Sequence, residues 1–175
     1  MSLKTGLLKW KNKPNFNNFK NYIMKRSATA NWKGSGKEGS GKLITQSKVI
    51  KNKAYDYRSR FEDGTNTNPE ELIAAAHAGC FTMKLSFVLG AAGFTPSRIE
   101  TTCTVTLENG TITNSHLEVK AKVPKLRAKN FPQYAEEAKT TCPVGKVLSC
   151  EQTMNAQIVK SFKAQEEASG GGEEA

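Results

Sequence analysis

The sequence predicts an α+β fold in which antiparallel strands accompany one long, apolar helix. Three observations carry that reading. The stretch "ELIAAAHAGCFTMKLSFVLGAAG" stays apolar around nearly its whole circumference for about 20 residues. Short β-leaning runs precede it, broken by Gly- and Ser-rich punctuation. After it, two alternating runs flank an Asn-Gly pair, the strongest short-range signal of a β-hairpin.

Taken in order, "RSATANWKG" (26–34) and "GKLITQSKVI" (41–50) read as two strands, and "KAYDYRSRFE" (53–62) as a third. Alternation there puts Tyr55, Tyr57 and Ser59 on one side and Asp56, Arg58 and Arg60 on the other. Asn68 then suits a helix N-cap and Pro69 the first helical position, where its missing N–H costs nothing. Glu71, three residues after the cap, completes a capping-box pattern. Beyond the helix, Ile99, Thr101, Cys103, Val105 and Leu107 share one strand face, and Leu117, Val119, Ala121 and Val123 point inward from the return strand. "NFPQYAEEAKTT" (130–141) reads as a second helix capped by Asn130. "CPVGKVLSC" restarts a short helix with Cys142 at its cap, and "EQTMNAQIVKSF" is a last strand.

A length of 175 residues suits one domain with a real core. We expect an extension over residues 1–23, a folded domain over 24–162 and a loose acidic tail over 163–175. The formal charge of +10 is unevenly spread: the first 23 residues hold five lysines and no acid, the tail has one lysine and four glutamates, and Met24–Phe162 keeps +8. Such a balance favours acidic partners or anionic substrates. The lysines are nevertheless scattered without aromatic interleaving, so nucleic acid is not expected as a partner. No uninterrupted apolar run is expected to serve as a membrane span of ~20 residues, and no compact secretory leader is evident. A soluble, cytoplasmic protein is the resulting expectation.

Four cysteines (Cys80, Cys103, Cys142, Cys150) and two histidines (His77, His116) show no zinc-clip spacing. Isolated cysteines are ordinarily small buried hydrophobes, and Cys103 and Cys150 are read so; His116, out of phase with Leu117, is read as a surface residue. Cys80 departs from that pattern because Ala76, Ala78 and Gly79 leave space beside it and because ionisable groups share its apolar helix. At ~100° per residue, Glu70 and His77 lie within ~20° of one face, with Cys80 ~60–80° around from them. Ten residues of rise nevertheless separate Glu70 from Cys80 by ~15 Å. A straight helix therefore does not bring that carboxylate to its own thiol, whereas two copies packed antiparallel through small residues bring it to a second one. Either the early turns of the helix bend away, or Glu70 serves a cysteine on a second chain; the expectation is a symmetric homodimer with composite sites. Cys142, ahead of Pro143, is expected to gain thiolate character from backbone N–H groups and the dipole at a helix start, with a capping or packing role as the alternative.

The stretches "RFEDGTNTNPEELIAAAHAGCF" and "CPVGKVL" together resemble the paired signature of the OsmC/Ohr family of osmotically inducible and organic-hydroperoxide-resistance proteins, over about 24–160. "RFE" and the histidine before the cysteine are more similar to the OsmC branch. Gly145 is a departure, since relatives often carry serine there. The resemblance implies an intertwined homodimer of long central helices wrapped by antiparallel sheets. It also implies a cysteine-based peroxidase with Cys80 peroxidatic and Cys142 resolving. Strand alternation leaves Arg58 and Arg60 equivalent; the motif selects Arg60 as the activating arginine and Glu70 as the acid that positions it.

In the reaction thus implied, the Cys80 thiolate attacks the terminal oxygen of an organic hydroperoxide, or of hydrogen peroxide less efficiently, and Cys142 closes a disulfide on the sulfenic acid. Leu72, His77, Phe81 and Phe87 are the expected substrate-binding side chains. No metal, haem or flavin is required, since sulfur supplies both electrons. A lipoylated protein or another dithiol is the implied reductant. A non-catalytic redox-sensing or small-ligand-binding dimer is the competing reading.

Overall fold

The computed structural model describes residues 23–162. The expected extension (Ile23 apart) and the acidic tail lie outside the described residues. The chain divides between Ile73 and Ala74, inside its long helix, into two compact units.

The first unit holds a three-stranded antiparallel sheet of β1 (Ala28–Lys33), β2 (Ser40–Thr45) and β3 (Lys53–Asp56), in that order. Gly41, opposite Tyr55 in the register, has no side chain to collide with the tyrosine ring, which reaches across to pack at a tilt against Trp32, 5.3 Å between centroids. The strand expected over 53–62 stops at Asp56. From there the Asp56 carboxylate accepts the Ser59 N–H and O–H, both at 2.7 Å, and turns the chain into a short helix, α1 (Arg58–Phe61). Local side-chain bonding to the backbone has overridden strand alternation here.

Helix α2 (Pro69–Ala91) begins where the sequence indicates. Asn68 Oδ1 accepts the Glu71 N–H at 2.8 Å, and the Glu71 carboxylate is held by the Thr67 hydroxyl at 2.9 Å. By length and apolar content α2 is sufficient to cross a bilayer, which corrects the expectation that no run reaches that length. Its buried residues, His77, Phe81, Leu85, Val88 and Leu89, recur every three to four positions and define one stripe. Met83 and Phe87, on other faces, are 61% and 50% exposed.

The second unit packs that stripe on a sheet of β4 (Arg98–Glu108), β5 (Thr111–Lys122) and β6 (Glu151–Ile158). Asn109 and Gly110 take positive φ (50° and 77°) and make the hairpin turn. Leu117, Val119, Ala121 and Val123 are buried as their alternation predicts. Burying each large apolar side chain contributes roughly 1.5–3 kcal/mol. The all-antiparallel expectation fails at β6, which joins β5 in parallel. A parallel neighbour requires a crossover, and the intervening chain supplies it with α3 (Phe131–Thr141), whose Phe131, Ala135 and Ala138 are buried. Asn130 precedes α3 in helical conformation and makes no side-chain cap, because a 3-10 turn over Ala128–Asn130 already leads into the helix.

Candidate active site

A charged pair forms in the first unit. The Arg60 Nε and Nη2 donors both reach Glu70 Oε1, at 3.0 and 2.8 Å. Glu70 Oε2 is buried and has no hydrogen-bond partner. Arg58, which alternation left equivalent to Arg60, pairs instead with its own-turn neighbour Glu62 at 3.5 Å in the open. The difference comes from α1: Arg60 stands on a helical turn fixed at its base by Asp56, and the guanidinium also lies 5.1 Å from the Phe61 ring centre. Hydrogen bonds from the Ser59 hydroxyl, the Ser59 N–H and the Asn66 amide hold the Asp56 carboxyl below its usual range. Asn68, besides capping α2, donates from Nδ2 to the Ser59 carbonyl at 2.8 Å and so ties the two helix starts together.

A sulfur-rich cluster forms in the second unit. Cys142, fully buried, follows the last residue of α3. The helix expected to start at Cys142 is a 3-10 turn over Gly145–Val147. Its N–H groups do reach the sulfur, with Gly145 N donating to Cys142 Sγ at 3.5 Å. The expected thiolate character is corrected, however: burial pushes the Cys142 thiol upward, the Gly145 N–H only opposes that, and the adjoining Cys80 thiol adds to the rise. Cys80, 62 positions away in sequence, packs against the same buried cluster that contains Cys142. Both are free thiols.

The side chains expected from the sequence to bind substrate divide. Phe87 is half-exposed and Leu72 partly buried, whereas His77 and Phe81 are wholly enclosed. His77 Nδ1 lies 2.8 Å from Ser115 Oγ and 3.8 Å from Cys103 Sγ, and Ser115 Oγ is 3.3 Å from the same sulfur. Burial pushes the His77 ring below its ordinary value of 6.5 and the Cys103 thiol above its ordinary value of 9.0. Sequence reasoning missed Ser115. The available signal was its phase, two residues before Leu117 on the inward face of β5, where a hydroxyl needs a partner. His116 instead faces Thr153 (2.7 Å) and Glu118 (2.9 Å) outside the core.

An OsmC-like protein family profile matches residues 62–157. The chain is 42% identical over 137 residues to the peroxiredoxin OsmC of Escherichia coli, covering 76% of this chain and 96% of that protein. Among solved structures, an OsmC-like protein of unknown function from Vibrio cholerae superposes with a TM-score of 0.63 at 12% identity, over 77% of this chain and 99% of that one. An organic hydroperoxide resistance protein from Elizabethkingia anophelis gives 0.60 at 20% identity, over 81% and 99%. By the matched profile and the identity to that peroxiredoxin, the chain belongs to the OsmC family.

Proposed function

We propose that the chain is a cysteine peroxidase that reduces organic hydroperoxides, and hydrogen peroxide less efficiently, with Cys80 as attacking and Cys142 as resolving sulfur. The observation that supports this most strongly is that Cys80 packs against the buried cluster holding Cys142, both as free thiols inside one packed unit. In the first step the Cys80 thiolate attacks the terminal peroxide oxygen. The O–O bond breaks, the alkoxide takes a proton and leaves as alcohol, and Cys80 is left as sulfenic acid. In the second step Cys142 sulfur attacks Cys80 sulfur, the S–O bond breaks and water leaves. An external dithiol, by family resemblance a lipoylated protein, then reduces the disulfide.

Arg60 stabilises the thiolate and the charge developing on the departing oxygen, and Glu70 orients its guanidinium. We read the site as composite, within a homodimer. Supporting this, the shallow hollow of about 550 Å³ on α2 and β4 is bordered by small or apolar residues such as Ala78, Gly79, Met83 and Ile99, a surface that a second copy could cover. The peroxidase domain spans 24–162, and the cytoplasm suits free thiols renewed by a dithiol.

Reduced protein supplied with cumene hydroperoxide and dihydrolipoamide should turn over repeatedly. Cys80→Ser should abolish this, and Cys142→Ser should give one turnover followed by overoxidation at Cys80. Sustained turnover by Cys80→Ser, or a single oxidation of the wild type with no second cycle, would overturn the assignment.

A further inference from the structure

The positive charge of this protein is not spread evenly along it. Residues 1–53 hold thirteen of its 26 lysines and arginines against a single acid, Glu38, for a net +12. Residues 54–175 hold the other thirteen against fifteen acids, for a net −2. The whole surplus belongs to the segment that ends at the first residue of β3.

The fold gathers part of that surplus at one end of the first unit's sheet. Ala28, which opens β1, pairs with Thr45, which closes β2, and the Gln46 N–H donates to the Ser27 carbonyl at 2.9 Å. The run 23–27 and the turn 46–52 therefore leave the sheet at the same end. Lys25, Arg26, Lys48, Lys51 and Lys53 stand there, all exposed, and neither stretch contains an acid. Among the described residues, none of these five cations pairs with a carboxylate. Glu38 lies in the turn at the opposite end, where Asp56 also pairs with Ser40.

Three aliphatic side chains share this basic end and stand in water: Val49 is 85% exposed, Ile23 84% and Met24 57%. One exposed apolar residue needs no explanation, but three among unpaired cations do. The turn that carries Val49 is preformed. The Thr45 N–H donates to the Ile50 carbonyl at 2.9 Å, the Lys48 N–H to the Thr45 carbonyl at 2.9 Å, and the Ile50 N–H to the Thr45 hydroxyl at 3.1 Å. Lys48 and Asn52 take positive φ, 62° and 53°. Lysine rarely adopts that conformation, so the turn's own bonds fix its shape.

We propose that this end of the sheet is a peripheral docking surface for an anionic lipid bilayer. The lysines and Arg26 meet headgroup phosphates, while Val49, Ile23 and Met24 enter the boundary between headgroups and acyl chains. Apolar insertion joined to cation attraction is the combination that holds a peripheral protein on an anionic membrane. Nucleic acid fits less well. Its phosphates would use the cations but leave the aliphatic side chains in water, and the rings able to stack on bases, Trp32 and Tyr55, lie against each other toward the sheet's other end. Such attachment needs no spanning helix and is independent of the peroxidase reading. Together the two would set the enzyme against hydroperoxides carried on membrane acyl chains.

The test is flotation of the full chain with vesicles of phosphatidylcholine alone, or of phosphatidylcholine and phosphatidylglycerol in equal parts. The chain should float with the mixed vesicles and not with the neutral ones, and added salt should release it. Each lysine near an anionic surface contributes about fivefold to partition, so Lys48→Gln combined with Lys51→Gln should weaken binding about 25-fold. Val49→Ser should weaken it about tenfold, near the low end for transfer of a valine side chain. Both variants should keep the wild-type melting temperature and the wild-type turnover of cumene hydroperoxide in solution. Equal flotation on the two vesicle types would overturn the proposal. So would wild-type binding by both variants, which would pass the attraction to the five lysines of residues 1–22. Loss in the lysine variant with none in Val49→Ser would overturn the insertion of an apolar tip. A wild type that ignores mixed vesicles but shifts a DNA duplex or binds polyglutamate would assign the surface to that partner instead. Normal flotation without hydroperoxide turnover would defeat the peroxidase reading and leave the docking surface standing.

Discussion

The Arg60–Glu70 pair stands partly in solvent, its arginine side chain 39% and its glutamate 12% exposed, whereas His77 and Cys142 are completely enclosed. The first cluster is held by charge and by directed hydrogen bonds from a turn, the second by packing around polar atoms that have few partners. Exposed pairs alone contribute little to stability, so on the proposed reading the value of Arg60–Glu70 lies in aiming a positive charge. The buried cluster has the reverse balance. Burial there favours the neutral forms of the Cys142 and Cys103 thiols and of the His77 ring.

The sharpest way to break this contrast is at Arg60. On the proposed reading, Arg60→Ala should lower kcat/KM for cumene hydroperoxide by about 10²–10³-fold, the range seen when a single charge-stabilising donor is removed, with little change in melting temperature. Arg60→Lys should recover only a small part, since an ammonium does not reproduce two parallel N–H donors. Glu70→Gln should fall between wild type and Arg60→Ala, because the guanidinium survives but loses its charged partner. A large stability loss with an unchanged rate would reverse the roles assigned to the two clusters.

The buried cluster is sharpened by pH instead. His77 sits below its ordinary value of 6.5, so the unfolded chain binds more protons as the medium acidifies. The stability from burying the neutral ring is present above 6.5 and is lost as pH falls toward the depressed folded value. Cys142 and Cys103 lie above 9.0, so their contribution is complete below 9.0 and is lost as pH rises toward the raised folded values. Thermal melts should therefore plateau between about 6.5 and 9.0. Cys142→Ala should flatten the alkaline fall, and His77→Gln the acid one. An alkaline limb unchanged in Cys142→Ala would show that burial of that thiol does not set it.

The two clusters were also unequally legible in the sequence. Asn68, Pro69 and Glu71 announce the start of α2 because caps are local chemistry, and the alternation of Leu117, Val119 and Ala121 announces the inward face of β5 because burial has period two. Arg60 could not be separated from Arg58 by alternation, since the strand ends at Asp56 and a carboxylate starts a helix within it. The parallel pairing of β6 was hidden because pairing partner and direction are decided by the crossover through α3 and not by the strand's own residues. His77 could be placed on the helix face but not given a partner: Ser115 is 38 positions away, and serine in an alternating strand looks like any solvated residue until its phase is taken seriously.

Asn68 and Asn130 put the smallest of these effects to use. Each precedes a helix, each is followed by proline at or next to the first helical position, and sequence alone treats them as equal caps. Asn68 accepts the Glu71 N–H and holds the Ser59 carbonyl, so its loss removes a cap and also loosens the turn that carries Arg60. Asn130 makes no side-chain cap, its backbone being already helical. Asn68→Ala should cost about 1 kcal/mol in chemical denaturation and reduce peroxidase activity by a few-fold through Arg60. Asn130→Ala should stay within about 0.5 kcal/mol of wild type with activity unchanged. Equal losses in the two variants would mean that the link from Asn68 to Ser59 contributes nothing, and that the arginine turn is held by Asp56 alone.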